Sequence, residues 1–135
     1  MISGPVTIGT GSGSGAILAP SVGSKQPLTL SLSNTLTGQA DSTYTCQLST
    51  QKRSADEVIA KGVMLACGAQ FALQAVGNKR LASGTVFTIL SNTSTTPISG
   101  TFANLPDGST LTAGRNKLLV SYTGGDGNDL TLTVQ

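Results

Sequence analysis

An all-β domain, either a β-solenoid or a β-sandwich, is the fold class this sequence predicts, and three observations predict it. Apolar residues alternate with serine and threonine in a series of short runs. The runs are parted by turns rich in glycine, proline, asparagine and aspartate. Only one stretch, residues 54–66, offers a competing helical spacing. Period two marks a strand with one face buried, because successive Cβ atoms point to opposite sides of a sheet. The runs recur about every 15 to 25 residues, a spacing that suits coils of a solenoid and strands of a sandwich alike.

In chain order, Val6 and Ile8 make a short strand, and the glycine-serine run 9–15 is a loop. Ile17 and Leu18 lead to Pro20 and a second loop through Gly23 to Pro27. Leu28, Leu30 and Leu32 then alternate with Thr29, Ser31 and Ser33, which predicts a strand with one buried face. After the turn-forming GQAD of residues 38–41, Tyr44, Cys46 and Leu48 alternate with Thr43, Thr45, Gln47 and Ser49. Within 54–66, Ser54 and Glu57 have capping-box spacing and Val58, Ile59, Lys61 and Leu65 fit a helix face, but Gly62 interrupts it. Two short strands, 58–60 and 63–66, agree better with the β-rich neighbours. Phe71, Leu73 and Ala75 continue the pattern, residues 86–90 form a further strand, and 91–97 is a loop. Ile98, Phe102 and Leu105 are apolar anchors before a turn at Pro106, Asp107 and Gly108.

Residues 116–135 carry the clearest signal. Leu118, Val120 and Tyr122 form one face of a strand, Leu130, Leu132 and Val134 one face of the next, and GGDGND reverses the chain between them. That hexapeptide also matches the start of the calcium-binding nonapeptide G-G-x-G-x-D-x-U-x, which makes Asp126 and Asp129 candidate calcium ligands. The match fails further on. Thr131 stands where a large apolar residue belongs, and one copy cannot supply the six to eight oxygens calcium takes. A plain turn is the simpler reading, with no metal and no cofactor.

At 135 residues the chain fits a single domain. It divides into a glycine- and serine-rich N-terminal part, 1–27, and a β core, 28–135. The net charge of +2 comes from scattered lysines and arginines, so there is no basic stripe for nucleic acid. No apolar run approaches membrane-spanning length. Histidine is absent and the six acids fall mostly in turns, which removes the usual acid–base machinery and predicts a non-enzyme. Tryptophan is absent too, and Tyr44 and Tyr122 sit on core-facing parities with hydroxyls that need partners, so stacking platforms for sugars are lacking.

The stretches GTVFTIL, ISGTFANLPDG and SYTGGDGNDLTLTV, in that order, resemble the closing segment of bacterial autotransporter-associated β-strand repeat proteins, which are long secreted chains of the passenger type. Residues from Leu28 onward are similar to the coils that precede that segment. The resemblance implies a right-handed parallel β-helix at the cell surface or beyond it, with Asp107-Gly108 and Asn128-Asp129 as structural turns and no catalytic residue. The start, MISGPVTIG, has no signal-peptide pattern, so an exported form would carry its signal elsewhere.

On a β-helix, Cys46 and Cys67, 21 residues apart, stand about one coil from each other. Stacked on adjacent coils in an oxidising compartment they would suit a disulfide; otherwise they are two buried thiols acting as small hydrophobes. No charge precedes Lys25 and none follows Asp129, so VTIG and LTLTVQ read as unprotected strand edges that favour end-to-end contacts. The expected role is therefore structural: display, adhesion, or matrix or filament assembly. Its partners would be copies of itself, adjacent repeats of a longer chain, or polysaccharide. The alternative is a carbohydrate- or calcium-binding accessory module.

Overall fold

The computed structural model describes residues 3–10, 15–20, 27–125 and 127–135. Its described residues hold strands and turns and no helix, and none of the sheets closes into a barrel. Consecutive strands go to three different sheets in turn. The first sheet takes β1 (Val6–Ile8), β4 (Leu36–Gly38) and β8 (Val63–Leu65). The second takes β2 (Ala16–Leu18), β5 (Ser42–Ser49) and β9 (Gln70–Val76), with the short β6 (Ser54–Ala55) folded back on the end of β5. The third takes β3 (Thr29–Ser31), β7 (Glu57–Ala60) and β10 (Val86–Asn92). All six pairings among these nine three-sheet strands are parallel, as in Leu36 with Val63, Tyr44 with Phe71 and Val58 with Leu90.

Beyond β10 the third sheet changes character. β11 (Thr110–Ala113), β12 (Asn116–Gly124) and β13 (Asp129–Val134) add to it antiparallel, in the order β11-β12-β13-β10-β7-β3. The alternation read from residues 116–135 is what allows this. Leu118, Val120, Tyr122, Leu130, Leu132 and Val134 are all buried, continuing the inner face that Val58 and Leu90 begin.

One apolar core runs between the sheets, fed by inward residues such as Leu36, Val63, Tyr44, Phe71, Val58 and Leu90. Each fully buried Leu, Val or Phe contributes about 1.5–3 kcal/mol of transfer free energy, offset by the entropy of ordering the chain. Tyr44, Phe71 and Phe102 meet in the middle of this core, with ring centroids 5.7, 6.2 and 5.6 Å apart; the Tyr44–Phe71 pair is edge-to-face at 79°. As the core-facing parity required, both tyrosine hydroxyls are satisfied. Tyr44 Oη donates to Ile89 O at 3.0 Å, and Tyr122 Oη donates to Leu105 O at 2.7 Å while accepting from Phe102 N at 3.1 Å.

The contested stretch 54–66 holds three strands, Ser54–Ala55, Glu57–Ala60 and Val63–Leu65, and no helix. Gly62 sits between β7 and β8 with φ of 105°, a turn conformation that ends the helical alternative. Buried polar side chains hold the turns against the strands. Asp56, 1% exposed, accepts from Leu28 N and Gln47 N, both at 2.9 Å, tying three successive stretches together. Asn92 accepts from Gly62 N at 3.0 Å and donates to Thr96 O at 2.8 Å.

β1 and β2 belong to the N-terminal part, 1–27, yet they pair with β4 and β5 of the core. The run Leu28 to Leu32 is a strand only over Thr29–Ser31, with Leu32 buried and Leu28 48% exposed.

Candidate functional site

The two ends of the strand array differ in how their outer backbone groups are met. At one end lie β1, β2 and β3, the outermost strands of their sheets, three residues each. Their hydrogen-bond directions follow from alternation along a strand. Val6 N donates to Thr35 O and Ile8 O accepts from Gln39 N, so Val6 and Ile8 address β4 and Thr7 addresses the open side. Ala16 N donates to Asp41 O, which turns Ile17 outward. Leu28 O accepts from Glu57 N and Leu32 N donates to Ile59 O, which turns Thr29 and Ser31 outward. Among the described residues, no strand pairs with these outward groups.

The core is unfinished at the same end. Val6, Ile8, Leu18 and Leu30 are only partly buried, and Ile17 is 70% exposed. Ile8 and Leu18 line an apolar cavity of about 20 Å³ with Leu36, Tyr44, Leu65 and Phe102, room for about one water but with nothing polar to hold it.

The opposite end is built differently on each sheet. On the first, Ser99 bridges Met64: Leu65 N donates to Ser99 O at 2.7 Å and Ser99 N donates to Val63 O at 2.9 Å. Gly100 (φ 80°) passes so close to the Leu65 carbonyl that a Cβ would collide with it. On the second, Asn104 takes the place of a strand. Its Oδ1 accepts from Phe71 N at 2.8 Å and its Nδ2 donates to Phe71 O at 2.7 Å, so one side chain satisfies both backbone groups of one edge residue. Asn116 does similar work beyond β9, accepting from Leu81 N at 2.7 Å and donating to Lys79 O at 3.0 Å. On the third, β13, β12 and β11 carry the sheet onward, while Phe102 and Leu105, the predicted anchors, close the core at 3% and 4% exposure.

This corrects one expectation. LTLTVQ is not an edge: β13 lies between β10 and β12, hydrogen-bonded on both sides, and Thr131 is 3% exposed. Alternation reports which face of a strand is buried and carries no information about its neighbours within the sheet.

The two cysteines are not stacked. Cys46 pairs across β5 and β9 with Leu73, whereas Cys67 lies six residues earlier, in the turn that precedes β9. Both thiols are free; Cys46 is buried and Cys67 exposed, so the small-hydrophobe reading fits only the first. Burial pushes the Cys46 thiol up to about 12, with the Asp56 carboxylate adding to the effect, so it is no nucleophile at neutral pH. Tyr44 is raised well above its ordinary value, also chiefly by burial.

Of the two candidate calcium ligands, Asp126 lies outside the described residues. Asp129 is buried, and its Oδ1 accepts from Asn92 N at 2.9 Å. Glu57 is raised by burial and then by the Asp129 charge; the two residues lie on β7 and β13, either side of β10. Asp107 accepts from Tyr122 N at 3.0 Å and Gly108 has φ of 80°, a structural turn. No protein-family model, no curated protein and no solved structure matches the chain.

Sequence reasoning missed Asn104, Asn116, Asn92 and Asp56, the side chains that finish edges and corners. Their residue type is the only signal, since Asn and Asp carry short polar groups that can stand in for backbone.

Proposed function

We propose that this chain is a non-catalytic structural segment of an extracellular or cell-surface bacterial β-solenoid protein. In this reading its three sheets coil as a right-handed parallel β-helix, and residues 98–135 cap one end. The observation that carries the proposal is the dealing of consecutive strands to three parallel sheets in turn, with layer stacked on layer in register. Such an array offers regular, weakly charged outer faces such as Thr7 and Thr37 of the first sheet, and Thr43 and Gln70 of the second. Those faces suit a scaffold or spacer that displays, adheres or packs into a matrix. The burial that silences the Cys46 thiol adds to the case, because a buried group tuned away from reactivity is a packing group. Antibodies against the folded chain test the location: labelling of intact cells of the source organism supports the proposal. Labelling only after the cells are broken refutes it.

A further inference from the structure

The corner where β5 and β9 leave the second sheet gathers basic side chains that lie far apart in the sequence. After β5 the chain turns through residues 50–53, and after β9 through residues 77–80. The β5–β9 ladder runs one step past its strands here: Thr50 N donates to Val76 O at 3.0 Å, and Thr50 Oγ1 accepts from Lys79 N at 3.1 Å. The turn of the β11–β12 hairpin packs on the second of these loops. A Cβ on Gly114 would stand 3.2 Å from Gly77 O, and Asn116 accepts from Leu81 N while donating to Lys79 O. Hydrogen-bonded layers lie about 4.8 Å apart, so Lys52 and Arg53, Lys79 and Arg80, and Arg115 come together at one corner, all of them exposed. Lys117, whose carbonyl accepts from Gln135 N, flanks the group. The carboxylates are committed elsewhere. Asp41 accepts from Thr10 N beside the start of β5, the buried Asp56 from Leu28 N and Gln47 N, Asp107 from Tyr122 N toward the far end of β12, and Asp129 from Asn92 N. Among the described residues, none of the five cations is held in an ion pair. With a net charge of only +2, everything outside the corner is net negative.

We propose that this corner binds an acidic polysaccharide, which lies along the stacked turns with its carboxylates on the cations. The choice of occupant rests on the extracellular reading above; the site and its chemistry are additions to it. Cations scattered along the chain give no footprint, but stacked turns sum their fields at one surface, and a polyanion collects that sum where a single small anion would not. Arg53, Arg80 and Arg115 each present a planar fork that matches a carboxylate through two parallel hydrogen bonds. Gln51 and Asn78, exposed on the same turns, carry neutral amides that can both donate to and accept from sugar hydroxyls. Single-stranded nucleic acid is the lesser fit, because its binding combines basic residues with aromatic faces on which bases stack. Here Tyr44, Phe71, Phe87, Phe102 and Tyr122 are all 6% exposed or less and tryptophan is absent, so neither a base nor an uncharged sugar finds a stacking platform. Recognition at this corner therefore runs on charge and hydroxyl contacts.

The test is calorimetric titration of the chain with polygalacturonate, with uncharged dextran and single-stranded DNA of equal charge as comparisons, between about 50 and 200 mM salt. Polygalacturonate is expected to bind and to weaken steeply as salt rises, while dextran does not bind. Lys79→Ala combined with Arg80→Ala should weaken binding by roughly tenfold and lower the slope of log K against log salt by roughly one per charge removed. Both side chains are exposed and the bonds described here use only the Lys79 backbone, so the melting temperature should hold. Lys61→Glu makes the same change in net charge at the exposed turn between β7 and β8 and should leave binding nearly unchanged. Should the double variant fail to fold, Arg115→Gln decides, with a smaller loss in the same direction. Polygalacturonate that does not bind at low salt, dextran that binds as well, an equal loss with Lys61→Glu, or tighter binding of the DNA each overturns the proposal. Labelling of intact cells tests the location separately, so the site can fail while the extracellular reading stands.

Discussion

Replacing Asp56 should cost this protein more than any other single polar change among those described above. The carboxylate is 1% exposed and accepts from Leu28 N and Gln47 N, each at 2.9 Å. Hydrogen bonds to a charged acceptor contribute about 1.5–3 kcal/mol each, and a buried N–H left without a partner costs about 1–3 kcal/mol. Asp56→Ala removes both bonds; the Gln47 amide lies in the interior and cannot recover its partner from bulk water, whereas the Leu28 amide is half-buried and partly can. The two bonds together come to about 3–6 kcal/mol, a large share of the 5–15 kcal/mol that stabilises a typical domain. Asp56→Asn keeps one acceptor oxygen and turns an NH₂ toward the other amide, so about 2–3 kcal/mol is expected. Urea unfolding at neutral pH measures both, with amide exchange at Leu28 and Gln47 as the local check. If Asp56→Ala shifts stability by less than about 1 kcal/mol and leaves the Gln47 amide as protected as before, Asp56 does not join these layers in the way described.

Alkaline pH should unfold the chain through its buried acids. Cys46 moves from 9.0 to about 12 on folding, so between those values the unfolded chain has released a proton that the folded chain keeps, and stability falls as pH rises by up to about 1.4 kcal/mol per unit. Tyr122, raised to about 12 by burial, and Tyr44 add to the loss above pH 10. Cys46→Ala should therefore flatten the urea midpoint between pH 9 and 10; an identical slope in both proteins refutes the assignment. Asn104→Ala removes two hydrogen bonds from a half-exposed edge and should cost about 1–2 kcal/mol, with the Phe71 amide losing its exchange protection. Asn104→Asp restores the acceptor alone and should fall between, an ordering that a merely local packing effect would not produce. Thermal melts with millimolar calcium and with chelator should coincide, because the one GGDGND copy is off register; a rise of several degrees that saturates with calcium would show that Asp129 is a ligand.

The hairpin of β12 and β13 was legible because everything that makes it is local: an alternating run, a glycine-rich reversal and a second alternating run. Its place in the sheet was not, since β13 owes its second neighbour to residues far away in sequence, Phe87 and Leu90 of β10. Residues 54–66 show tertiary context deciding between local signals. The Ser54–Glu57 spacing would suit a helix cap, but Glu57 N donates to Leu28 O and Asp56 is committed to Leu28 and Gln47, so the segment extends. Stacking of the two cysteines, one of the two readings the sequence left open, fails on a length. A coil estimated at 21 residues would have set Cys46 over Cys67, whereas the register sets it over Leu73, because loops of unequal length add to each turn of the chain. Among the described residues, Val6–Ile8 of VTIG forms β1, which pairs with β4.

The antiparallel block beside β10 also bears on the order in which the chain assembles. Gly124 and Asp129 pair across a turn of a few residues, while Tyr44 must find Phe71 and Val58 must find Leu90 across roughly thirty. Loop-closure entropy grows as (3/2)RT ln n, so each first parallel contact starts about 1.5 kcal/mol behind the hairpin. Hairpins form in about 1–10 μs, and once β12 and β13 have met, β10 has a ready template. Closure entropy alone therefore favours the β12–β13 hairpin over any single parallel pairing as a first contact.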